Sequence, residues 1–466
     1  MIKKLLLSII AATALTNGAT AGGLMTNTNY HVAFDRMMAR GASTEIDAAY
    51  SNPAGLAWGY DGFQLSLDFQ KPWQNRDIET EVPNFLAYPG VYDGHTINQK
   101  FNGKASAPIV PALFASYKKD RWAFSTMIGI VGSGGFVKYD EGIPMFNALV
   151  MGSIFKQTLA AKMAAPTDPT KMIVTPEMYN IDSEVKGKQY IYGAQLNFTY
   201  KITDFLAAAV GLRANYYDGY SKAHVTATTI EQLGSQKLAD LTLDCVQRGW
   251  GFAPIVSLDY HQGPLTISGR YEFRTKINTE NKTAALPAGL GDLAKSYEDG
   301  EHVRYDMPSL LSIAVGYGFT DCLRGTLEYH FFDDKSAKMG IEGQYRQKQL
   351  AGGTHEFLAG IEYDINKKFT VSLGGQRTDY GLGDAYQQHT SFACDSYSIG
   401  LGGAWNISDK VHLNAGYFIT IYDDYTKQVS AGDATKGEGY FGTGYAGKDV
   451  FSRTNNVIGA GIDIKF

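Results

Sequence analysis

The 466-residue chain has only three cysteines and 14 prolines, and only 19% of its residues are charged. So few cysteines exclude a small secreted domain held together by disulfides, and so little proline excludes collagen-like or low-complexity chains. Repeated apolar runs of about 20 residues are also lacking, and the mean hydropathy is −0.20, which excludes a bundle of transmembrane helices. The net charge of −5 gives no indication of a nucleic-acid partner.

The first 21 residues have the pattern of a secretory signal peptide. Lys3 and Lys4 precede an apolar run from Leu5 to Leu15, and Ala19-Thr20-Ala21 matches a small-residue cleavage site. We therefore predict export, with residues 1–21 removed. A retained membrane anchor is the alternative, but the apolar run is short for a membrane-spanning helix.

Glycine, tyrosine and phenylalanine are abundant, and beyond residue 60 apolar and polar residues alternate with a period of two. At the C-terminus, Ile458, Ile462 and Phe466 share one face, and Asp463 and Lys465 share the other. The alternation predicts fourteen strands, at 62–70, 107–117, 121–132, 189–200, 205–218, 249–260, 264–278, 308–319, 323–333, 355–364, 369–380, 396–406, 410–422 and 454–466.

Six short and seven long connections alternate between these strands. An even strand number, with short turns at one end and long loops at the other, is typical of bacterial outer-membrane barrels. The sequence therefore predicts an all-β membrane protein, a 14-stranded antiparallel transmembrane β-barrel over residues 62–466, located in the outer membrane of a Gram-negative cell. Because a closed barrel has no free edge strand, we expect a monomer surrounded by outer-membrane lipid.

Residues 22–61 lack the alternation and precede the barrel. Ala33 to Arg40 is predicted to form a short helix, and a second helix is expected from Thr44 to Tyr50, ended by Asn52-Pro53. A fourteen-stranded barrel is wide enough to leave a channel. This segment is therefore predicted to fold as a hatch inside the lumen, with Arg36 and Arg40 docking it to the wall.

Two stretches of this segment carry a family resemblance. Gly41-Ala42-Ser43-Thr44 and Asp47-Ala48-Ala49-Tyr50-Ser51-Asn52-Pro53-Ala54-Gly55-Leu56 resemble the N-terminal hatch of the outer-membrane transporters of long-chain fatty acids and other hydrophobic compounds, the FadL/TodX family. The hatch motif consists of Asn52, Pro53 and Ala54. The resemblance implies that a hydrophobic ligand enters through a groove in the outer loops, descends to a pocket above the hatch and leaves sideways at a kink in the third strand.

Two sets of residues are candidates for this route. Glycine interrupts regular pairing, so Gly132, Gly134 and Gly135 are candidates for the lateral opening, or they simply begin a loop. The loop that follows is unusually apolar and methionine-rich, which suits a groove for varied apolar shapes or loop-to-loop packing. The groove candidates are Met145, Phe146, Leu149 and Phe155.

Basic residues on the predicted lumen face could pair with a ligand carboxylate. Arg213 and Arg270 are the candidates, although interior acids such as Glu272 offer an alternative partner. Three cysteines leave at least one thiol unpaired, and a bridge between Cys245 and Cys394 stays open. The scattered histidines show no metal-ligand spacing, so neither a metal nor another cofactor is expected.

Three functions compete at this level. Passive transport of hydrophobic molecules, most plausibly long-chain fatty acids, is the first. The second is a surface receptor or adhesin that binds host or phage components through its long loops. The third is a lipid hydrolase, for which His330 is the only candidate base that we identify, but no catalytic motif supports an enzyme.

Overall fold

The computed structural model describes residues 24–287 and 295–466, so the predicted signal peptide lies outside the described residues. Within the described residues there are three α-helices, α1 (Val32–Met37), α2 (Ala48–Ser51) and α3 (Pro144–Ala164). A short 3-10 helix, Pro53–Trp58, follows α2, and others occur in the loops at Pro176–Met178, Glu231–Leu233, Lys295–Tyr297, Asp334–Ser336, Arg346–Gln349, Ala434–Lys436 and Tyr440–Gly442. None of the helices in the described ranges is long and apolar enough to cross a membrane.

In the part of the chain that the structure describes, nineteen strand segments form one antiparallel sheet. They are β1 (Gly62–Phe85), β2 (His95–Ser106), β3 (Val110–Lys119), β4 (Trp122–Tyr139), β5 (Tyr179–Lys201), β6 (Leu206–Thr229), β7 (Lys237–Gln262), β8 (Leu265–Glu272), β9 (Asn278–Ala285), β10 (His302–Tyr305), β11 (Leu310–Gly318), β12 (Leu323–Phe332), β13 (Met339–Gly340), β14 (Thr354–Asn366), β15 (Phe369–Asp379), β16 (Ser396–Ser408), β17 (Val411–Tyr422), β18 (Tyr425–Val429) and β19 (Gly447–Lys465).

These segments make fourteen barrel strands. β2 and β3 both pair with β1 and β4, so they are two halves of one barrel strand, and β8 with β9 and β10 with β11 are halves in the same way. β13 and β18 are short extensions at the outer end. The barrel closes where β1 pairs with β19, from Gln64 opposite Lys465 to Glu81 opposite Lys448. The predicted strand number and order are confirmed.

Several strands are longer than the alternation predicted. β1 continues to Phe85, β5 begins at Tyr179, and β6 and β7 stay paired up to Thr228 and Lys237. Segments expected to be irregular loops therefore extend the wall well beyond the 9–11 residues that cross a bilayer. The physical reason is that the inner faces of these extensions are buried against α3 and neighbouring loops, which keeps them paired without lipid.

The outer surface of the lower wall is apolar. Leu196, Phe252, Leu327, Ile399 and Ile458 are each at least half exposed. Along β7 this band extends from Trp250 to Tyr260, ten residue steps that rise about 25 Å at a strand tilt of about 40°. That height matches the hydrocarbon layer, so this part of the barrel faces lipid.

Candidate functional site

The N-terminal segment, residues 24–61, occupies the lumen at the level of the apolar outer band. α1 packs against β14–β17, β1 and β19, and the Pro53–Trp58 helix packs against β4–β7 on the opposite side. Wall glycines allow this close approach. A Cβ atom at Gly400 would lie 2.5 Å from the carbonyl oxygen of Asp35, and one at Gly374 would collide with the carbonyl of Met37. α1 starts at Val32 and α2 at Ala48, so the predicted helix start at Thr44 is wrong; the residue before α2 is Asp47, whose side chain is held by Arg40.

One wall carboxylate, Glu362 on β14, holds the segment through several cations. Arg36 donates to Glu362, and Arg40 Nη1 lies 3.3 Å from its Oε2. Arg324 Nε lies 3.0 Å from the same oxygen. Arg40 also donates to Asp47 Oδ2 at 2.7 Å. Burial raises the pKa of Asp47, but the guanidinium of Arg40 outweighs this effect, and the pKa is lowered.

The hatch motif contacts the opposite wall through polar atoms. Asn52 Nδ2 donates to Asp259 Oδ2 at 2.7 Å, and the backbone N–H of Ala54 donates to Ser257 Oγ at 3.0 Å. The hydroxyl of Thr199 donates to the carbonyl of Pro53 at 2.8 Å. All three motif residues are buried. The arrangement places them against β5 and β7, where they fix the segment to the wall rather than line an opening.

The wall is interrupted beside β4, the third barrel strand. β3 pairs with β4 only from Lys119 to Leu113, opposite Trp122 to Ile128, and β2 resumes the pairing at Ser106 opposite Phe136. Residues 129–135 of β4 therefore have no strand paired with them on this side. The facing stretch contains Pro108 and Pro111, which have no N–H group to donate.

The other edge of β4 is also irregular in this region. Its pairing with β5 shifts register twice, between Ile130 and Gly132 and between Ser133 and Gly135, so Val131 and Gly134 are the extra residues of two bulges. The glycine candidates Gly132, Gly134 and Gly135 therefore lie within this irregular stretch. They do not begin a loop, because β4 continues to Tyr139.

The beginning of the N-terminal segment lies against the interrupted ladder. The backbone N–H of Asn27 donates to the carbonyl of Val131 at 3.1 Å, and the Tyr30 hydroxyl donates to the same carbonyl at 2.9 Å. Asn27 Nδ2 reaches the carbonyl of Ile130 at 3.2 Å. A Cβ atom at Gly132 would lie 2.5 Å from the carbonyl oxygen of Met25. The segment thus supplies hydrogen bonds to two carbonyls of the stretch that β3 leaves unpaired.

The outer half of the lumen contains a large buried apolar cluster, and a few charged or polar side chains, Arg76, His389 and Arg453, pack against it. We call this apolar cluster the outer chamber. It is formed by inward-facing residues of the strand extensions together with α3, among them Ile78, Phe101, Val137, Val225, Leu241 and Phe451. At the level of the segment, the wall instead presents buried polar residues, among them Gln64, Ser66, Asp68, Gln195, Asn197 and Ser257.

The four groove candidates lie on α3 and divide between two apolar clusters. Met145 and Phe146 belong to the outer chamber, with Leu149 partly buried against it. Phe155 packs instead with Val82, Phe85 and neighbouring loop residues. The structure therefore brings Met145, Phe146 and Leu149 together and sets Phe155 apart.

The two arginine candidates share one acid. Arg213 and Arg270 both form ion pairs with Glu272, and all three side chains are buried. The guanidinium of Arg270 also stacks on the ring of Tyr50, 4.2 Å from its centroid. Two cations and one carboxylate leave a positive excess at this point of the lumen wall.

A histidine and two aspartates meet where the barrel closes. His31 Nε2 lies 3.2 Å from Asp463 Oδ1 and 3.6 Å from Asp68 Oδ2, close enough in principle to hold a metal ion. The N–H of Ala33, however, donates to His31 Nδ1 at 3.1 Å. With Nδ1 accepting, Nε2 carries the proton and donates, so the contacts fit a hydrogen-bonded group better than a metal site.

The cysteines and His330 are the remaining candidates from the sequence. Cys245, Cys322 and Cys394 are all free thiols, so the open bridge between Cys245 and Cys394 is not formed. His330 is buried, with Nε2 2.7 Å from Glu328 and Nδ1 2.9 Å from Glu356. Both ring nitrogens are occupied by carboxylates, so the histidine is not available as a base.

Sequence reasoning missed the residues that contact the interrupted ladder. Asn27 and Tyr30 lie in a polar stretch without a recognised motif, and their partner Val131 is more than a hundred residues away. Pro108 and Pro111, close together before a strand, were the available signal for the interruption, because proline removes ladder donors.

A closed fourteen-stranded wall with an apolar band outside and a polar, segment-filled lumen inside defines a barrel of the Gram-negative outer membrane. Among solved structures, the chain is similar to a Pseudomonas aeruginosa FadL homologue, with a TM-score of 0.63 and 14% identity over 96% of this chain and 100% of that one.

Toluene transporters have the same fold. TbuX of Ralstonia pickettii matches at a TM-score of 0.52 and 14% identity, over 91% of this chain and 94% of that one. TodX of P. putida matches at 0.51 and 13% identity, over 91% and 95%. No family model and no curated protein matches the sequence. The fold is therefore that of the FadL and TodX channels.

Proposed function

We propose that the protein carries hydrophobic molecules passively across the outer membrane, with residues 24–61 acting as a hatch. One observation carries the proposal: the apolar outer chamber lies above a polar, filled lumen, and the wall ladder is interrupted beside the hatch. The structures with this fold include a FadL homologue and two toluene transporters, which supports cargo of this class.

The polar lumen beneath the outer chamber favours a sideways exit. An apolar molecule that continued downwards would meet buried charges and amides, and then the aqueous periplasm. Transfer of each methylene from an apolar site to water costs about 0.8 kcal/mol. Release between β3 and β4, at Gly132, Gly134 and Gly135, leads directly into lipid and avoids this cost.

Long-chain fatty acids are the proposed natural cargo. The positive excess at Arg213, Arg270 and Glu272 supports this choice, since a carboxylate could compete with Glu272 for two guanidinium groups. A purely aromatic hydrocarbon has no carboxylate and would not pair with these guanidinium groups. Met145, Phe146 and Leu149 of α3 are the proposed contacts for the apolar part.

Uptake by cells that lack their own hydrophobic channel tests the proposal. Cells with the intact protein, with the variant carrying Asn52→Ala and Pro53→Ala, and with empty vector would be given labelled oleate, toluene or a small sugar. We expect oleate uptake above vector and a changed rate in the hatch variant. Absence of both oleate and toluene uptake despite surface expression would overturn transport and favour the receptor function, and rapid sugar entry would indicate an open porin.

The carboxylate contact has a separate test. Glu272→Gln removes the acid that occupies Arg213 and Arg270, so the affinity for oleate should rise relative to an uncharged probe of equal chain length such as oleyl alcohol. Glu342→Gln, in an exposed outer loop, is the matched control. An unchanged ratio of the two affinities would show that these arginines only support the wall.

The exit is tested by straightening β4 at the glycine candidates. Deleting Val131 and Gly134 together removes both bulges and aligns Ile130, Gly132 and Ser133 with consecutive residues of β5. Two deletions also keep the inward and outward alternation of β4. We expect oleate uptake to fall to the vector level, whereas deletion of Ala434 and Thr435 in an exposed loop should leave it unchanged. Full uptake by the bulge-free barrel would show that the irregular stretch of β4 is not needed for exit.

A further inference from the structure

Four lysines lie side by side on the outside of the barrel, above the membrane. The register pairs Lys104 of β2 with Lys138 of β4, Lys138 with Lys186 of β5, and Lys186 with Lys222 of β6. Directly opposed residues in a sheet have Cα atoms about 4.5–5.5 Å apart, and like charges in this arrangement destabilise the pair. We call these four residues the lysine row.

Two more cations lie below the row, nearer to the membrane. Lys188 of β5 and Arg248 of β7 share a single acid, Asp218, which Arg248 Nε approaches to 3.1 Å. Glu184 is likewise shared, lying 3.2 Å from Lys138 Nζ and 2.7 Å from Lys186 Nζ.

The acids near the row do not balance it. Asp140 contacts Lys138, and Asp244 lies 2.8 Å from Lys222 Nζ. Together with the two shared carboxylates and Glu280, which the register places opposite Arg248, five acids face six cations. The face therefore carries a positive excess in a chain whose net charge is −5.

The height of these groups follows from the aromatic belt beneath them. Tyr192, Tyr216 and Trp250 are opposed to one another and mark the outer edge of the lipid band. Arg248 lies two residues beyond Trp250, and Lys222 lies six residues beyond Tyr216. At about 3.4 Å per residue and a tilt of about 40°, the cations lie about 5 to 15 Å above the belt.

We propose that the lysine row, with Lys188 and Arg248, binds an anionic glycolipid of the outer leaflet. Its acyl chains lie against the apolar band below the belt, and its phosphate and carboxylate groups lie against the cations. A single phosphate at the membrane surface would reach only the lowest cation, whereas a headgroup with several anionic groups along its length reaches the row. The bound anions offset the repulsion between the opposed lysines.

The test uses the purified full-length protein in neutral detergent and fluorescently labelled rough lipopolysaccharide. The row variant carries Lys104→Gln, Lys138→Gln, Lys186→Gln and Lys222→Gln. We expect its dissociation constant to be at least about tenfold higher, given the contribution of each lysine near an anionic lipid surface. The control variant carries four exposed lysines of other outer loops changed to Gln, namely Lys171, Lys335, Lys348 and Lys436, and should bind within twofold of the intact protein.

A second comparison does not depend on any variant. The intact protein should bind dephosphorylated lipopolysaccharide at least tenfold more weakly, and 0.5 M NaCl should weaken binding of the phosphorylated form. Equal binding by the row variant and the intact protein, or equal binding of both lipid forms, would overturn the proposal. If inorganic pyrophosphate binds in a row-dependent manner and the lipid does not, the site is an ion site and the lipid assignment is wrong.

Discussion

The substitution Glu362→Gln on β14 isolates the forces that hold the hatch in the barrel. It changes no residue of the N-terminal segment and keeps the size of the side chain. Glu362 is buried and accepts hydrogen bonds from Arg36, Arg40 and Arg324. The amide that replaces it has no negative charge, so Arg36 is left buried without a counter-charge.

The expected magnitude follows from burial. The side chains of Arg36 and Glu362 are 3% and 4% exposed, so solvent screens their interaction very little. Removing one partner of a buried pair typically costs about 3–5 kcal/mol. Arg324 is less affected because its side chain is 40% exposed. Arg40 is less affected because it keeps its ion pair with Asp47. At about 1.4 kcal/mol per tenfold change, docking of α1 should weaken by a factor of about 10² to 4 × 10³.

Hydrogen exchange by mass spectrometry measures this docking directly. Amides of Val32–Met37 should exchange about 10² to 4 × 10³ times faster in the variant, while amides of β5 and β6 keep their protection. The folded barrel, followed by its heat-dependent shift on an SDS gel, should be unchanged. If α1 exchanges at the original rate in a folded Glu362→Gln barrel, the ion pairs do not hold the hatch, and the assignment of Glu362 as its anchor is refuted.

Three further predictions concern the hatch and α3. The lowered pKa of Asp47 means that its stabilisation is present above the unfolded value of about 3.9 and is lost as the pH falls through the folded pKa, so the protection of α2, taken relative to the intrinsic exchange rate at each pH, should fall below pH 4. Asp47→Asn should show low protection of α2 at every pH; the same pH profile in the variant and the intact protein would contradict the role of Arg40. Asn52→Ala removes a donor to the carboxylate of Asp259 and should weaken hatch docking by about 1.5–3 kcal/mol, measured by exchange of Pro53–Trp58. Phe146→Ala should cost about 3–5 kcal/mol of α3 packing, seen as faster proteolysis within α3 and contradicted by unchanged cleavage.

The barrel was predictable because its pattern is local. In β19, Ile458 faces lipid and Asp463 the lumen, and the same alternation recurs in every strand that crosses the membrane. Turns such as His261-Gln262-Gly263 separate these strands. The strand extensions were not predicted, because residues such as Val225 and Leu241 face a chamber completed by α3, and this face depends on tertiary packing.

The site was predictable only in part, because its contacts also depend on tertiary packing. The irregular stretch at Gly132 was recognised, since glycine interrupts pairing. Nothing in the local sequence indicated that Asn27 bonds to Val131, or that Glu362 receives both Arg36 and Arg40. These contacts join residues more than a hundred positions apart, and a single sequence contains no information on such pairings beyond residue type.

The hatch is anchored unevenly, and this unevenness bears on how it could respond to a ligand. On the side of β14 it is held by buried ion pairs, and breaking one costs about 3–5 kcal/mol. On the side of β4, Asn27 and Tyr30 contribute neutral hydrogen bonds, each with a net contribution of about 1 kcal/mol. A ligand shifts a conformational equilibrium only by its difference in affinity for the two states. A ligand therefore needs a smaller difference in affinity to break these hydrogen bonds than to break the ion pairs of α1, so we expect it to act first on the stretch beside the interrupted ladder.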